Sequence, residues 1–277
     1  MARKESIAAI IYDFDKTLTD QDMQNYSFIP ALGMTPAEFW GKTGQFTEKT
    51  GVERILSYMY MMVNEAKEKG IKLTKEYLYS LGKDLQYFEG VLTWFDRINK
   101  YGEEKGVKIE HYLISSGTKE IIDGSIIAKE FKQIFGCEFY FDPETKVPVW
   151  PKLAINYTAK TQFYFRITKG IVDIIDDQAV NRKQDELRIP RKNVIYIGDG
   201  MTDVPVMLLV RQNGGHSVAV YQKGDRESVQ HLYDEGRVNF VCPADYKEGS
   251  VIDTVVKLII DGIRVASEID YKKTILG

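Results

Sequence analysis

The sequence predicts an α/β protein, with a mostly parallel sheet interleaved with helices and a mainly helical insertion directly after the first strand. Three observations lead there. Short, almost wholly apolar runs recur along the chain, the form a strand takes when both its faces are covered in a parallel sheet. Amphipathic helical patterns separate those runs. Residues 20–88 interrupt the alternation, because they hold helical periodicity and no convincing buried strand.

Taken in order, Ile7-Ala-Ala-Ile-Ile-Tyr12 is the first apolar run. The insertion begins with a stretch that holds Pro30, Gly33, Pro36, Gly41, Gly44 and Gly51. A helix is expected over 52–69, where Ile55, Met59, Met62, Val63 and Ala66 recur at spacings of three and four. Thr74 resembles the N-cap of a further helix running to Leu85. Residues 91–101 read as a helix with Leu92, Phe95 and Ile98 on one face, and 107–114 as the second strand. A helix over 119–135 follows, with Gly124 as its weak point. Residues 137–158, with Glu138 to Asp142, Pro143 and Pro148 to Pro151, suggest a small β excursion. Thr158 stands as a candidate N-cap for a helix that carries Lys160 in its first turn and Phe163 and Ile167 on one face. Strands are expected at 193–197, 216–221 and 238–242, and a last helix at 254–265 with Val255, Leu258, Ile259 and Ile263 inward.

Composition narrows the function classes. Of 277 residues, 44% are apolar and 28% charged, the ordinary balance of a globular chain. Lys plus Arg is 37 and Asp plus Glu is 40, so the formal charge is −3, which gives no overall field for nucleic acid. Cys137 and Cys242 stand outside any zinc-type spacing or disulfide framework. No signal-peptide pattern and no apolar run near the ~18 residues of a membrane span is visible. A cytoplasmic setting is the expectation by default, with no membrane partner; the oligomeric state is not written in the sequence.

The first run ends in Asp13-Phe14-Asp15-Lys16-Thr17. Ligands of open α/β sheets bind at the carboxyl ends of strands, and two carboxylates there are costly to leave unpaired. A bound cation removes that cost, and Mg²⁺ prefers such hard oxygens. A capped turn is the plainer alternative for Asp13 and Asp15. Gly198-Asp199-Gly200-Met201-Thr202-Asp203 again sets acids at a strand end. If the two strands are neighbours, three or four carboxylates converge on one point. Leu113-Ile114-Ser115-Ser116-Gly117 closes another strand, where hydroxyls and backbone amides can hold a phosphate; on its own it equally suits a plain turn. His111 and His216 fall in strands and read as packed histidines. The aromatics Phe139, Tyr140, Phe141, Tyr157, Phe163, Tyr164 and Phe165 suit core packing better than a choline-type site.

These three pieces, in this order, resemble the haloacid dehalogenase superfamily: its Asp-x-Asp-x-Thr motif at Asp13 to Thr17, its strand-terminal hydroxyl at Ser115, and its Gly-Asp-x-x-x-Asp motif at Gly198 to Asp203. The resemblance covers about residues 5–20 and 88–243, and the layout looks most like that of the phosphoserine phosphatases. It implies a Rossmann-like three-layer core over 1–19 and 89–277, with a helical cap over 20–88. It also implies a Mg²⁺-dependent phosphatase for a small phosphorylated metabolite. Asp13 is then the nucleophile and Asp15 the general acid and base. Mg²⁺ is held by Asp13, the Asp15 carbonyl and Asp199, with Asp203 in support. Ser115, Ser116 and a lysine bind the phosphate, that lysine being Lys160 in preference to Lys169. Asp22 lies nine residues beyond Asp13, where the phosphoserine phosphatases place an acid that meets the substrate amine, and Arg54 is a candidate for a substrate carboxylate.

A dehalogenase is disfavoured, because such family members lack an acid at the position of Asp15. The alternatives that remain are a phosphotransferase of the same superfamily and a non-catalytic phosphometabolite-binding protein. A further alternative makes residues 20–88 a partner-binding surface, with Met59, Met61 and Met62 exposed.

Overall fold

The computed structural model describes residues 5–184 and 186–276. Its centre is β1 (Ser6–Tyr12). Ala8 to Tyr12 are wholly buried, as a continuous apolar run requires when neighbours cover both faces. Four helices follow: α1 (Phe28–Ala31), α2 (Pro36–Thr50), α3 (Arg54–Glu68) and α4 (Lys75–Leu81). The chain then returns through α5 (Val91–Glu104) to β2 (Val107–Thr118). After it come α6 (Lys119–Asp123), the hairpin β3 (Gln133–Phe141) and β4 (Pro148–Leu153), α7 (Ala159–Lys169) and α8 (Asp177–Asn181). The remainder alternates: β5 (Val194–Gly198), α9 (Val204–Gln212), β6 (His216–Tyr221), α10 (Glu227–Asp234), β7 (Phe240–Pro243) and α11 (Val251–Leu276).

The strands form one seven-stranded sheet in the order β4-β3-β2-β1-β5-β6-β7. All neighbours are parallel except β3 and β4. α5 and α11 pack on each other and on β2, while α7 and α9 pack on each other and reach β2, β5 and β6. Right-handed crossovers to opposite sides of β1 place these two pairs on opposite faces of the sheet. This is the expected Rossmann-like α/β architecture. The order reverses at β1, so the carboxyl ends of β1, β2 and β5 border the crevice where such sheets bind ligands. The chain leaves and re-enters this core side by side: Thr19 bridges Tyr87, and the Phe88 amide donates to Leu18 O.

Several local expectations are corrected. The Gly- and Pro-bearing stretch after Gly33, for which the sequence predicts no element of its own, is a helix, α2. Thr35 accepts from the Glu38 amide while Glu38 accepts from the Thr35 amide, Pro36 fills the first turn, and Gly51 ends the helix in the left-handed region at φ 73°. The helix expected over 119–135 stops at Asp123. A Cβ on Gly124 would lie 1.8 Å from Tyr79 O of α4, so close packing of α4 on α6 fixes the break; Gln133 to Phe135 belong instead to β3. α5 buries Val91, Trp94, Phe95 and Ile98 and leaves Leu92 out. α11 turns Ile252, Val256, Ile259, Ile260 and Ile263 inward, and Leu258 outward. Met59, Met61 and Met62 are buried, which removes the exposed methionine surface. Cys137 and Cys242 are free and buried. Among the described residues, no helix is long and apolar enough to cross a membrane.

Candidate active site

Pairing of β1 with both β2 and β5 brings the three chemistry-bearing strand ends together. The Asp13 amide donates to Ile197 O, so the two acidic segments leave the sheet side by side. One ligand oxygen each from Asp13, Asp199 and Asp203 lie within 4.8 Å of one another. Lys160, wholly buried in the first turn of α7, sets its Nζ 2.9 Å from Asp13 Oδ1 and 2.6 Å from Asp203 Oδ1. Thr158 does not cap that helix; Asn156 Oδ1 accepts the Ala159 amide instead. Lys169 points elsewhere and donates to the carbonyls of Val180 and Arg182.

Asp203 is fully engaged. Tyr196 OH donates to its Oδ1 at 2.7 Å and the Gly200 amide to its Oδ2 at 3.3 Å. Gly198 is required here, because a Cβ on it would meet Asp203 Oδ2 at 2.6 Å. Thr17 Oγ1 donates to Asp199 Oδ1, and Tyr246 OH donates to Thr17 O from beyond β7. Asp15 Oδ1 accepts the Met23 amide at 2.8 Å. β2 runs on through Ser115 and Ser116, but its register with β3 shifts between Ile114 and Thr118, which frees this stretch from regular pairing. Ser115 Oγ accepts the Gly117 amide. Ser116 O accepts from Tyr58 OH of α3 at 2.7 Å, and Ser116 Oγ is buried with no hydrogen-bond partner among the described residues.

Above these groups opens a cleft of about 580 Å³. Asp13, Asp15, Ser115, Ser116 and Asp199 line it from the sheet side, and Asp22, Trp40, Glu48, Arg54 and Tyr58 from the helical side. Lys160 and Asp203 lie beneath its floor, reaching it through Asp13. Sequence reasoning missed Tyr196, Tyr58, Trp40 and Gln24, and it assigned Tyr157 to packing although Tyr157 also lines the cleft. None of the five carries a local motif: Tyr196 sits inside a strand run that reads as core, and the other four face the cleft from positions that no spacing rule marks.

The electrostatics are those of a site short of positive charge. Burial, then the Asp203 charge, pushes Asp13 up to about 6 against the pull of Lys160. Burial, then Asp22 and Asp13, holds Asp15 well above the usual carboxylate range. Asp199 is raised in the same direction by burial, Asp13 and Asp203. Burial disfavours the charge on Lys160, yet Asp13 and Asp203 outweigh it and keep the ammonium protonated. Clustered hard oxygens with an excess of negative charge suit Mg²⁺, and no softer ligand stands in the group.

The family model of haloacid dehalogenase-like hydrolases matches residues 10–208, a span that contains every element of this site's floor. The chain is a haloacid dehalogenase-like hydrolase. This hydrolase is 30% identical over 276 residues to an uncharacterized protein of Borreliella burgdorferi, a match covering 90% of this chain and 95% of that one. Its fold is similar to that of a HAD family hydrolase from Salmonella enterica serovar Typhi, with TM-score 0.61 and 16% identity over 91% of this chain and 71% of that one. It is also similar to a phosphoserine phosphatase solved as a phospho-aspartyl intermediate analogue, with TM-score 0.57 and 16% identity over 91% and 99% of the two chains. At these identities the likeness to solved structures is one of fold.

Proposed function

We propose that the protein is a Mg²⁺-dependent phosphatase that hydrolyses a small phosphomonoester of the cytoplasm through an aspartyl-phosphate on Asp13. The observation that carries this is the Asp13 carboxylate at the end of the central strand, 2.9 Å from the Lys160 ammonium and opening on a cleft that Asp15 and Ser115 share. Asp13 attacks phosphorus, and the bond from phosphorus to the leaving oxygen breaks. Asp15 gives that oxygen a proton; its raised pKa suits a carboxyl that must arrive protonated. Asp15 then takes a proton from the water that attacks phosphorus, which returns Asp13 and releases inorganic phosphate. Ser115 and the Ser116 amide hold the phosphoryl oxygens, and Lys160, beneath Asp13, supplies positive charge to them from below. Asp13, the Asp15 carbonyl and Asp199 would hold Mg²⁺, with Asp203 fixing Lys160 and the loop from behind; the ion supplies charge neutralisation to the phosphoryl group.

The helices of residues 20–88 serve as a lid in this proposal, with 1–19 and 89–277 as the catalytic core. Its two connections lie side by side at Thr19 and Tyr87, as a hinge requires. Asp22 and Arg54 line the cleft on that side, which is where this reading puts the leaving group. The phosphoserine phosphatase neighbours support a small phosphorylated substrate. Hydrolysis of p-nitrophenyl phosphate with Mg²⁺ tests the proposal. Asp13→Asn should lower kcat more than ~10³-fold in a folded protein, and EDTA should abolish turnover. Near-normal hydrolysis by the folded variant, or full activity after exhaustive chelation, contradicts it.

A further inference from the structure

Two features of the cleft, neither used in the chemistry above, bear on the leaving group. Lys16 sits in the left-handed region at φ 57°, and its Nζ lies 2.9 Å from Asp22 Oδ2. The carboxylate that would otherwise receive a substrate ammonium already holds a cation of the chain. Gln24, two residues on, is 2% exposed and lines the same cleft. Its Oε1 has no hydrogen-bond partner among the described residues. A buried acceptor without a donor is rare and calls for an explanation.

We infer, on the basis of the phosphatase proposal, that Lys16 and Gln24 determine specificity, and that the leaving group is an uncharged polyol, as in a sugar or sugar-alcohol phosphate. An ammonium substrate has to displace Lys16 from Asp22, so one ion pair is exchanged for another with no net gain, and Lys16 is left to find a new partner. A hydroxyl needs no counter-charge. Turning the Gln24 carboxamide toward the cleft offers that hydroxyl both an acceptor and a donor. The other charges on the helical wall, Glu48 and Arg54, are opposite in sign, so together they add no net charge to the side that faces the leaving group. Trp40 and Tyr157 add aromatic surface for the carbon skeleton of such a substrate.

The test measures kcat and KM of the full chain with Mg²⁺ on sorbitol 6-phosphate, on n-hexyl phosphate, which has the same length and no hydroxyls, and on O-phosphoserine. The wild type should prefer sorbitol 6-phosphate to both by about tenfold or more in kcat/KM. Gln24→Leu should bring the sorbitol-to-hexyl ratio close to one, mainly through KM. Lys16→Ser should raise the phosphoserine-to-sorbitol ratio about tenfold by freeing Asp22. Thermal melting confirms that each variant is folded, and the wild-type preferences decide the matter even where a variant is not. Equal use of the sorbitol and hexyl phosphates, a preference for O-phosphoserine, or unchanged ratios in both folded variants overturns the inference. Hydrolysis of p-nitrophenyl phosphate that Asp13→Asn abolishes keeps the phosphatase proposal standing in those cases; absence of all hydrolysis overturns both.

Discussion

Lys160 is the residue on which the buried part of the site turns. It is wholly buried and answers two carboxylates, so its removal leaves Asp13 and Asp203 facing each other without a cation. Lys160→Ala should therefore lower kcat by about 10²-fold or more and reduce thermal stability. Lys169→Ala breaks only hydrogen bonds to the carbonyls of Val180 and Arg182 and should change kcat by less than about threefold. Steady-state kinetics on an aryl phosphate, with a melting curve for each variant, checks the ranking; the reverse order would move the phosphate-binding role to Lys169. At this scale the sequence was informative wherever chemistry is written in short spacings, as in Asp13, Asp15, Ser115 and Asp199. It was silent on Tyr196 and Tyr58, whose hydroxyls matter only because folding brings them to Asp203 and to Ser116 O.

Among the elements, the turn from β5 toward α9 is the most constrained. Gly198 leaves no room for a Cβ against Asp203. Gly198→Ala should shift Asp203, loosen its hold on Lys160 and cost about 1–3 kcal/mol, with activity falling alongside. Denaturant unfolding measures the loss, and an unperturbed variant would show that the turn has slack. Elements proved readable where one signal dominates. The apolar runs of β1 and β6 fall where expected because burial on both faces leaves little choice of register. The Thr35, Pro36 and Glu38 signature of α2 was present in the sequence but was masked by Gly41 and Gly44. The 119–135 segment misled for a different reason. Its helical signal is real only up to Asp123, and the break depends on contact with Tyr79 from α4, which local periodicity does not carry. The outward turn of Leu92 and Leu258 has the same origin, since the neighbours of a helix decide which flank of its apolar stripe is covered.

For the molecule as a whole, the sheet is tied to its flanking segments by Glu110. Arg188, Lys132 and Tyr112 all donate to this buried carboxylate. Burial alone would raise its pKa, but these hydrogen bonds outweigh burial and bring it down to about 2. Between the unfolded value of about 4.3 and about 2, the unfolded chain binds a proton that the native state resists. The stabilisation is therefore present above about pH 4.3 and is lost as the pH falls toward 2. Glu110→Gln should flatten the pH dependence of stability in that window and cost roughly 2 kcal/mol at neutral pH, less than a fully buried pair because Arg188 and Lys132 reach water. Urea unfolding at several pH values checks both. The α/β class and the convergence of acids at neighbouring strand ends were legible because parallel topology leaves few ways to bring three strand ends together. Apart from Asp22 and Arg54, the wall of the cleft facing them was not, because it is built mainly from α2 and α3, whose aromatic and charged side chains follow no spacing rule. The central claim is that Asp13 carries the phosphoryl group. Acid quench during turnover with Mg²⁺, then borohydride reduction and peptide mass spectrometry, tests it directly, since reduction converts a phosphorylated aspartate to homoserine. Conversion should appear at position 13, only with substrate and Mg²⁺ present, and be absent from Asp15; turnover without conversion at Asp13, or conversion at another residue, would contradict the claim.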